Sequence, residues 1–205
     1  GNTSVKLPEI GIGTWQYKGS PDNLRKGIKM GSFMVDTAEN YGTEPIVGEA
    51  IQGIRDKVFI ATKVSGSHLR YDQVMQAAVH SLSHLAIDRI DLYQIHWPDP
   101  SVPIEETMRA MEALVDANLI KHIGVSNFST TQLISAQRAM DKYPIVSNQV
   151  LYNLNHRDVE VELLPYCQDN AITLIAYTPL DEGLLASGHP THGKRNISVL
   201  EAIAE

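Results

Sequence analysis

Only one cysteine, Cys167, occurs in the 205 residues, so no disulfide can form within the chain. Nothing at Gly1 to Ile10 resembles a charged-then-apolar leader. A sequence of this kind reads as a protein of a reducing, cytoplasmic compartment. Positive charge is scarce as well: 17 Lys and Arg stand against 24 Asp and Glu, a net charge of −7, with no basic cluster. Affinity for a phosphate backbone needs a basic face, so nucleic acid is excluded as a partner. Every apolar run is far shorter than the roughly 18 residues of a membrane span, which excludes a membrane partner. Also lacking is any Pro/Gly/Ser-rich linker or shift in composition, so 1–205 reads as a single domain around one core.

What is present is alternation. Seven strand-like apolar runs recur, at Ile10 to Trp15, Phe33 to Thr37, Val58 to Val64, Ile90 to Trp97, His122 to Asn127, Val146 to Tyr152 and Ile172 to Leu180. Helical spacing fills the intervals. Ser20 before Pro21 predicts an N-cap and a first-turn proline, with Gly31 as the stop. Ile46, Val47, Ala50, Ile51 and Ile54 form a second apolar stripe, and Val74, Ala77, Ala78, Ser81, Leu82 and Leu85 a third. Pro103 opens a helix with Met108, Met111, Leu114 and Val115 facing the core. Ser129 and Gln132 make a capping box ahead of Leu133, Ala136 and Met140. Asp158 is expected to cap a further helix that Pro165 should kink.

Strand and helix alternating at intervals of roughly 25 to 30 residues predict βαβ units and a parallel sheet. An open doubly wound sheet calls for a glycine-rich turn after the first strand. Here Gly11 and Gly13 are followed by Trp15 and Gln16, without the third glycine of G-x-G-x-x-G. The expected α/β fold is therefore a closed (β/α)₈ TIM barrel, whose chemistry gathers at the C-terminal ends of its strands. Such a barrel typically needs eight strands and about 250 residues. After Leu180 a glycine-rich loop runs to Asn196, and Ser198, Leu200 and Ile203 begin a helix. The eighth strand and last helices are thus missing from this sequence, which reads as C-terminally incomplete or as an open seven-stranded relative.

Four polar residues fall at the strand ends. Phe33 to Gly42, FMVDTAENYG, is a strand that stops at Asp36 and a loop that passes through Tyr41. VFIATKV brings Lys63 to the end of the third strand, and DLYQIHW brings His96 to the end of the fourth. Side chains alternate along a strand and neighbouring strands lie about 4.8 Å apart, so Asp36, Lys63, His96 and Tyr41 can share one small volume. A buried carboxylate needs a cation, and Lys63 supplies it. The lysine is expected to favour the phenolate and lower the Tyr41 pKa from about 10. Tyr41 could then protonate a carbonyl oxygen that His96 orients. No strand-end nucleophile or metal shell accompanies them, so acyl transfer and metal hydrolysis lose ground. A hydride from a nicotinamide is the natural complement. Trp15 and Trp97 beside Tyr41 and His96 suit the walls of a substrate pocket.

The segments GIGTW, VDTAENYG, FIATKV, DLYQIHWP, HIGVSNF, VSNQVLYN and LIAYTPL occur in that order, each at a strand end. Together they resemble the aldo-keto reductase family across nearly the whole chain up to about Leu185. The resemblance implies a (β/α)₈ barrel that reduces aldehydes and ketones with NADPH or NADH, with Asp36, Tyr41, Lys63 and His96 as catalytic tetrad. It also implies that Ser126, Asn127 and Gln149 hydrogen-bond the carboxamide and that Tyr177 stacks on the nicotinamide. Gly13, Thr14, Trp15 and Asp36 would lie along the cofactor, and Thr178, Pro179, Leu180 and Gly183 would approach the pyrophosphate. Thr178 stands where the family usually has serine, which keeps the hydroxyl. The resemblance makes NADP the expected cofactor, and because the family's grip on the adenosine phosphate has no counterpart before Glu205, the sequence does not separate it from NAD.

Taken singly, Asp36 and Lys63 read as a structural salt bridge, His96 as a core histidine and Tyr177 as packing. Their coincidence at converging strand ends favours the catalytic reading. Two rivals remain: a nicotinamide-holding regulatory subunit with little turnover, and a barrel hydrolase using Asp36 and Glu39, poorly placed to flank a bond. His189 and His192 read as solvated, Cys167 as buried and inert, and no metal site is expected.

Overall fold

In the computed structural model the described residues are 5–187. The loop expected after Leu180 is described only to Ser187, where it holds a 3₁₀ turn, Asp181–Gly183, and a short helix; its remainder to Asn196, with His189 and His192, and the helical start at Ser198, Leu200 and Ile203 lie outside the described residues. All seven expected strands form: β1 (Gly11–Gly13), β2 (Met34–Asp36), β3 (Phe59–Val64), β4 (Ile90–Ile95), β5 (Ile120–Ser126), β6 (Ile145–Leu151) and β7 (Thr173–Tyr177). Each pairs in parallel with the next, in sequence order. The helices between them are α1 (Pro21–Lys29), α2 (Glu44–Ala50), α3 (Tyr71–Leu85), α4 (Ile104–Asp116), α5 (Thr130–Arg138) and α6 (Leu163–Asp169), with α7 (Leu184–Ser187) after β7.

The sheet curls. In a flat sheet β2 and β6, four strands apart, would be about 19 Å from one another. Instead Gln149 on β6 donates from Nε2 to Asp36 Oδ2 on β2 at 3.0 Å. The seven strands make a nearly closed barrel with the (β/α)₈ pattern, and β1 and β7 are its terminal strands.

Alternation along each strand splits the apolar residues between two cores. Val35, Ile60, Tyr93, Ile95 and Val125 face outward and pack under Val47, Val74, Ala78, Leu82, Met108, Met111 and Leu114 of the helices. Met34, Ala61, Leu92 and Val146 face inward and fill the barrel. Each fully buried aliphatic side chain contributes about 1.5 to 3 kcal/mol. The inward set continues along the same strands into Asp36, Lys63 and Gln94, so the residues that fill the barrel also point its polar strand ends toward its mouth.

Local signals act as chemistry requires. Ser20 Oγ accepts from Asn23 N, and Ser129 and Gln132 exchange both capping-box bonds at the start of α5. All six residues of the α3 stripe are buried. Gly48 allows α2 to approach α3, since a Cβ there would lie 2.6 Å from the Leu85 carbonyl oxygen. Three expectations shift. The second helix ends at Ala50, so Ile54 packs on the core from the turn beyond it. Asp158 starts a 3₁₀ turn instead of capping a helix, and Pro165 kinks nothing: α6 starts at Leu163, and its third residue needs no N–H donor. The seventh strand stops at Tyr177, because Thr178 turns to a left-handed φ of 54°.

Candidate active site

Strand register builds the site. Asp36 ends β2, paired with Gly13 and Ala61, and Lys63 on β3 pairs with Gln94 on β4. His96 follows β4 and bonds from its N–H to the Val64 carbonyl at 2.9 Å. Tyr41 ends a 3₁₀ turn, Glu39–Tyr41, which Gly42 closes with a left-handed φ of 70°. Only a residue tolerant of positive φ turns the chain there without strain.

Lys63 is 1% exposed, and its Nζ donates to Asp36 Oδ1 at 2.6 Å and to the Thr37 carbonyl at 2.9 Å. Gln149 takes the other Asp36 oxygen, so the carboxylate accepts one bond on each side. The ammonium lies 5.2 Å from the centre of the Tyr41 ring. The Tyr41 hydroxyl is 3.3 Å from His96 Nε2, and the two rings meet edge to face at 5.4 Å. Trp15, well exposed, leans over Tyr41 with ring centres 4.9 Å apart. Trp97, also exposed, follows His96 directly and lies against the backbone at Gly66.

Electrostatics here overturns one expectation. The Tyr41 phenol is pushed well above its ordinary value, first by burial and then by the charge of Asp36, with a smaller contribution from Tyr177. Lys63 does not lower it, because the ammonium is directed at Asp36 and the Thr37 carbonyl. His96 moves the other way, down to about 4, through burial and the Lys63 charge against the opposing pull of Asp36. At neutral pH the site therefore holds a protonated phenol beside a neutral imidazole. His96 Nδ1 is buried without a hydrogen-bond partner among the described residues.

A second group joins the first. Ser126 Oγ donates to the Gln149 carbonyl at 2.8 Å, and the Asn127 amide donates to the His96 carbonyl and to Ser126 Oγ, each at 3.0 Å. The Tyr177 hydroxyl donates to Asn127 Oδ1 at 3.0 Å. Ser126, Asn127, Gln149 and Tyr177 thus form one network with Asp36 and His96. Ser126 spends its one proton and Asn127 both amide protons inside this network, which leaves the second Gln149 amide proton and the amide oxygens, beside a phenol ring, to meet a carboxamide. Thr14 is fully buried, and its hydroxyl bonds the Asp36 carbonyl at 3.0 Å, so it ties β1 to β2. Beyond β7, Thr178, Pro179, Leu180 and Gly183 lie on two successive turns, closed by 3.0 Å bonds from Asp181 N to the Thr178 carbonyl and from Gly183 N to the Leu180 carbonyl.

Two residues escaped sequence reasoning, and a third, Glu39, takes a role other than the expected one. The Thr37 carbonyl is a Lys63 acceptor, a backbone role that residue type does not reveal. Asn153 Nδ2 holds the strained Thr178 through its carbonyl at 3.0 Å. Glu39 accepts from Ser65 N and, at 3.0 Å, from His68 Nδ1, which binds the Tyr41 turn to the loop after β3. That engagement also removes Glu39 from any acid pair with Asp36. No cluster of three or more metal-ligating side chains occurs among the described residues, and no helix of theirs is long and apolar enough to cross a membrane.

The model of the aldo/keto reductase family matches residues 9–197. The chain belongs to the aldo/keto reductase family. Aldo-keto reductase YhdN of Bacillus subtilis (strain 168) is 39% identical to it over 207 residues, covering 90% of this chain and 62% of YhdN. This aldo/keto reductase chain therefore spans about three-fifths of that relative's length. Among solved structures, the thermostable aldo-keto reductase Tm1743, in complex with the inhibitor epalrestat, superposes with a TM-score of 0.92 at 40% identity. It covers 100% of this chain and 77% of its own. An aldo/keto reductase from Klebsiella pneumoniae, in complex with NADP and acetate, gives 0.86 at 37% identity, covering 97% and 73%.

Proposed function

We propose that this aldo/keto reductase chain binds a nicotinamide dinucleotide, NADP ahead of NAD, and reduces the carbonyl of a small aldehyde or ketone to an alcohol. The observation that carries the reading is the 3.3 Å approach of the Tyr41 hydroxyl to His96 Nε2, directly above a lysine already neutralised by Asp36. Beside those two atoms, a carbonyl oxygen within hydrogen-bond distance of both meets a hydroxyl and an imidazole at once. The NADP complex of the Klebsiella relative supports the choice of cofactor. Ser126, Asn127 and Gln149 would hold its carboxamide, and Tyr177 its ring.

Bound nicotinamide supplies the hydride that adds to the carbonyl carbon. The rest falls to residues of this chain. Neutral His96 donates from Nε2 to the carbonyl oxygen and fixes its direction, while the Tyr41 phenol stays protonated until negative charge appears on that oxygen. An alkoxide is a stronger base than a phenolate, so the proton passes to it downhill even from a phenol of raised pKa. The phenolate left behind lies near an ammonium already committed to Asp36 and the Thr37 carbonyl, so it stays strongly basic and recovers its proton from solvent. Trp15 and Trp97 wall the approach with apolar surface and favour substrates with a hydrophobic body.

Tyr41→Phe tests the reading. Removing the hydroxyl should lower kcat for benzaldehyde reduction by about 10² to 10⁴-fold, the span typical of general acid catalysis. NADPH binding, followed by quenching of tryptophan fluorescence, should stay within about twofold, since the ring remains. Turnover equal to wild type would refute the assignment of Tyr41.

A further inference from the structure

The segment that carries Tyr41 is fastened by three threonine hydroxyls whose bonding order follows from counting protons. Thr14 at the end of β1, Thr37 after β2 and Thr43 before α2 are all buried. Thr14 Oγ1 is 3.0 Å from the Asp36 carbonyl oxygen and 2.9 Å from Thr43 Oγ1, which is 2.9 Å from Thr37 Oγ1. A hydroxyl has a single proton and a carbonyl oxygen can only accept. Thr14 therefore donates to Asp36, Thr43 must donate to Thr14, and Thr37 must donate to Thr43. No other assignment satisfies all three contacts.

The residues at the two ends of this chain are the ones that hold Lys63. Asp36 takes the Thr14 hydroxyl on its backbone carbonyl and the ammonium on its carboxylate. Thr37 gives its hydroxyl to Thr43 and offers its carbonyl to the ammonium. Its N–H is already fixed on the Ala61 carbonyl of β3 at 2.9 Å, so the Thr37 peptide is clamped from three directions. Thr43 is the middle link, two residues past Tyr41, and its carbonyl accepts the first α2 bond from Val47 N at 3.0 Å.

We propose that Thr43 is a positioning residue: its hydroxyl, acting through Thr37 and Thr14, keeps both acceptors on the Lys63 ammonium and fixes the span that presents Tyr41. The kinetic consequence rests on the reductase reading, whereas the structural consequence does not. Space-filling alone would predict that valine, with the shape of threonine, serves equally well. Hydrogen bonding predicts that valine leaves the buried Thr37 proton without an acceptor and the carbonyl free to rotate away.

The experiment uses the full chain with nitrogen-labelled lysine. In the wild type the Lys63 ammonium, buried and held by two acceptors, gives a slowly exchanging NMR signal, assigned by its loss in Lys63→Met. In Thr43→Val its proton exchange should quicken about tenfold, and kcat for carbonyl reduction should fall about tenfold with NADPH affinity unchanged, as expected for catalytic groups displaced by a fraction of an ångström. Thr43→Ser should restore both. Should the valine variant not fold, Thr43→Ala against Thr43→Ser makes the same comparison, because the two differ by one hydroxyl. An ammonium signal unchanged in Val or Ala, altered equally in Ser, or fast-exchanging in the wild type would overturn the proposal. A wild type with the protected ammonium but no carbonyl reduction would instead count against the reductase reading alone.

Discussion

At the scale of single residues, the proton affinities of the site are opposite to what pairing a lysine with a tyrosine suggests. The identities of Asp36, Tyr41, Lys63 and His96 were legible in the sequence, but the direction of the Lys63 ammonium was not. It points at Asp36 and Thr37, and the phenol rises instead of falling. His96 gives a measurable consequence. Its folded value of about 4 lies below the ordinary 6.5, so between those pH values the unfolded chain binds a proton that the folded chain refuses. Stability from this group is complete above about pH 6.5 and is lost as pH falls toward 4. Urea unfolding at pH 7 and pH 4.5 should show wild type losing on the order of 2 kcal/mol more than His96→Asn. Equal losses would mean that the imidazole is already solvated in the folded protein.

At the scale of elements, connections between helices and strands depend on buried carboxylates as much as on apolar stripes. Glu112 of α4 is 6% exposed, and its Oε1 accepts from three successive backbone N–H groups, Asp141 at 3.0 Å, Lys142 at 2.6 Å and Tyr143 at 3.2 Å. Those donors belong to the loop that leads from α5 into β6, so one side chain docks α4 on the entrance to a central strand. Glu112→Ala should cost about 2 to 3 kcal/mol in urea unfolding, since it leaves buried donors unpaired, and Glu112→Gln should cost about half as much because its carbonyl still accepts. A loss below about 0.5 kcal/mol in the alanine variant would show that water replaces the carboxylate. The spacing of Met108, Met111 and Val115 puts position 112 on the inner face of α4, but a glutamate there reads as solvated by residue type, and only its three backbone donors explain its burial. Pro165 is the converse case: as a helix breaker its chemistry was legible, but whether it kinks a helix or sits harmlessly in the first turn of one depended on where the helix began.

At the scale of the molecule, the sheet curls far enough for β6 to touch β2, while among the described residues β1 and β7 are its outer strands. Strands β3 to β6 are almost wholly buried, whereas β1 is three residues long and partly exposed and β7 is partly exposed. Native-state hydrogen exchange should therefore release amides of β1 and β7 first and those of β3, β4 and β5 last, because opening an outer strand breaks one ladder and opening a central one breaks two. Uniform protection across all seven strands would show that the outer pair is covered. Deleting the Gln149 amide, as in Gln149→Leu, touches this scale too, since it removes the bond that spans the barrel.

The order of strand and helix, the curling parallel architecture and the chemical types at the strand ends were set by the sequence alone. Periodicity and alternation are local properties that survive without coordinates, and three unlike polar residues at the ends of three adjacent strands, with a tyrosine on the loop after the first of them, leave few chemistries open. What only the folded chain decided was direction: which atom of Asp36 meets Lys63, which carbonyl completes its shell, and which way the threonine protons run. These are set by distances of a few ångströms between residues as far apart in the chain as Asp36 and Gln149, and such distances exist only once the sheet has curled.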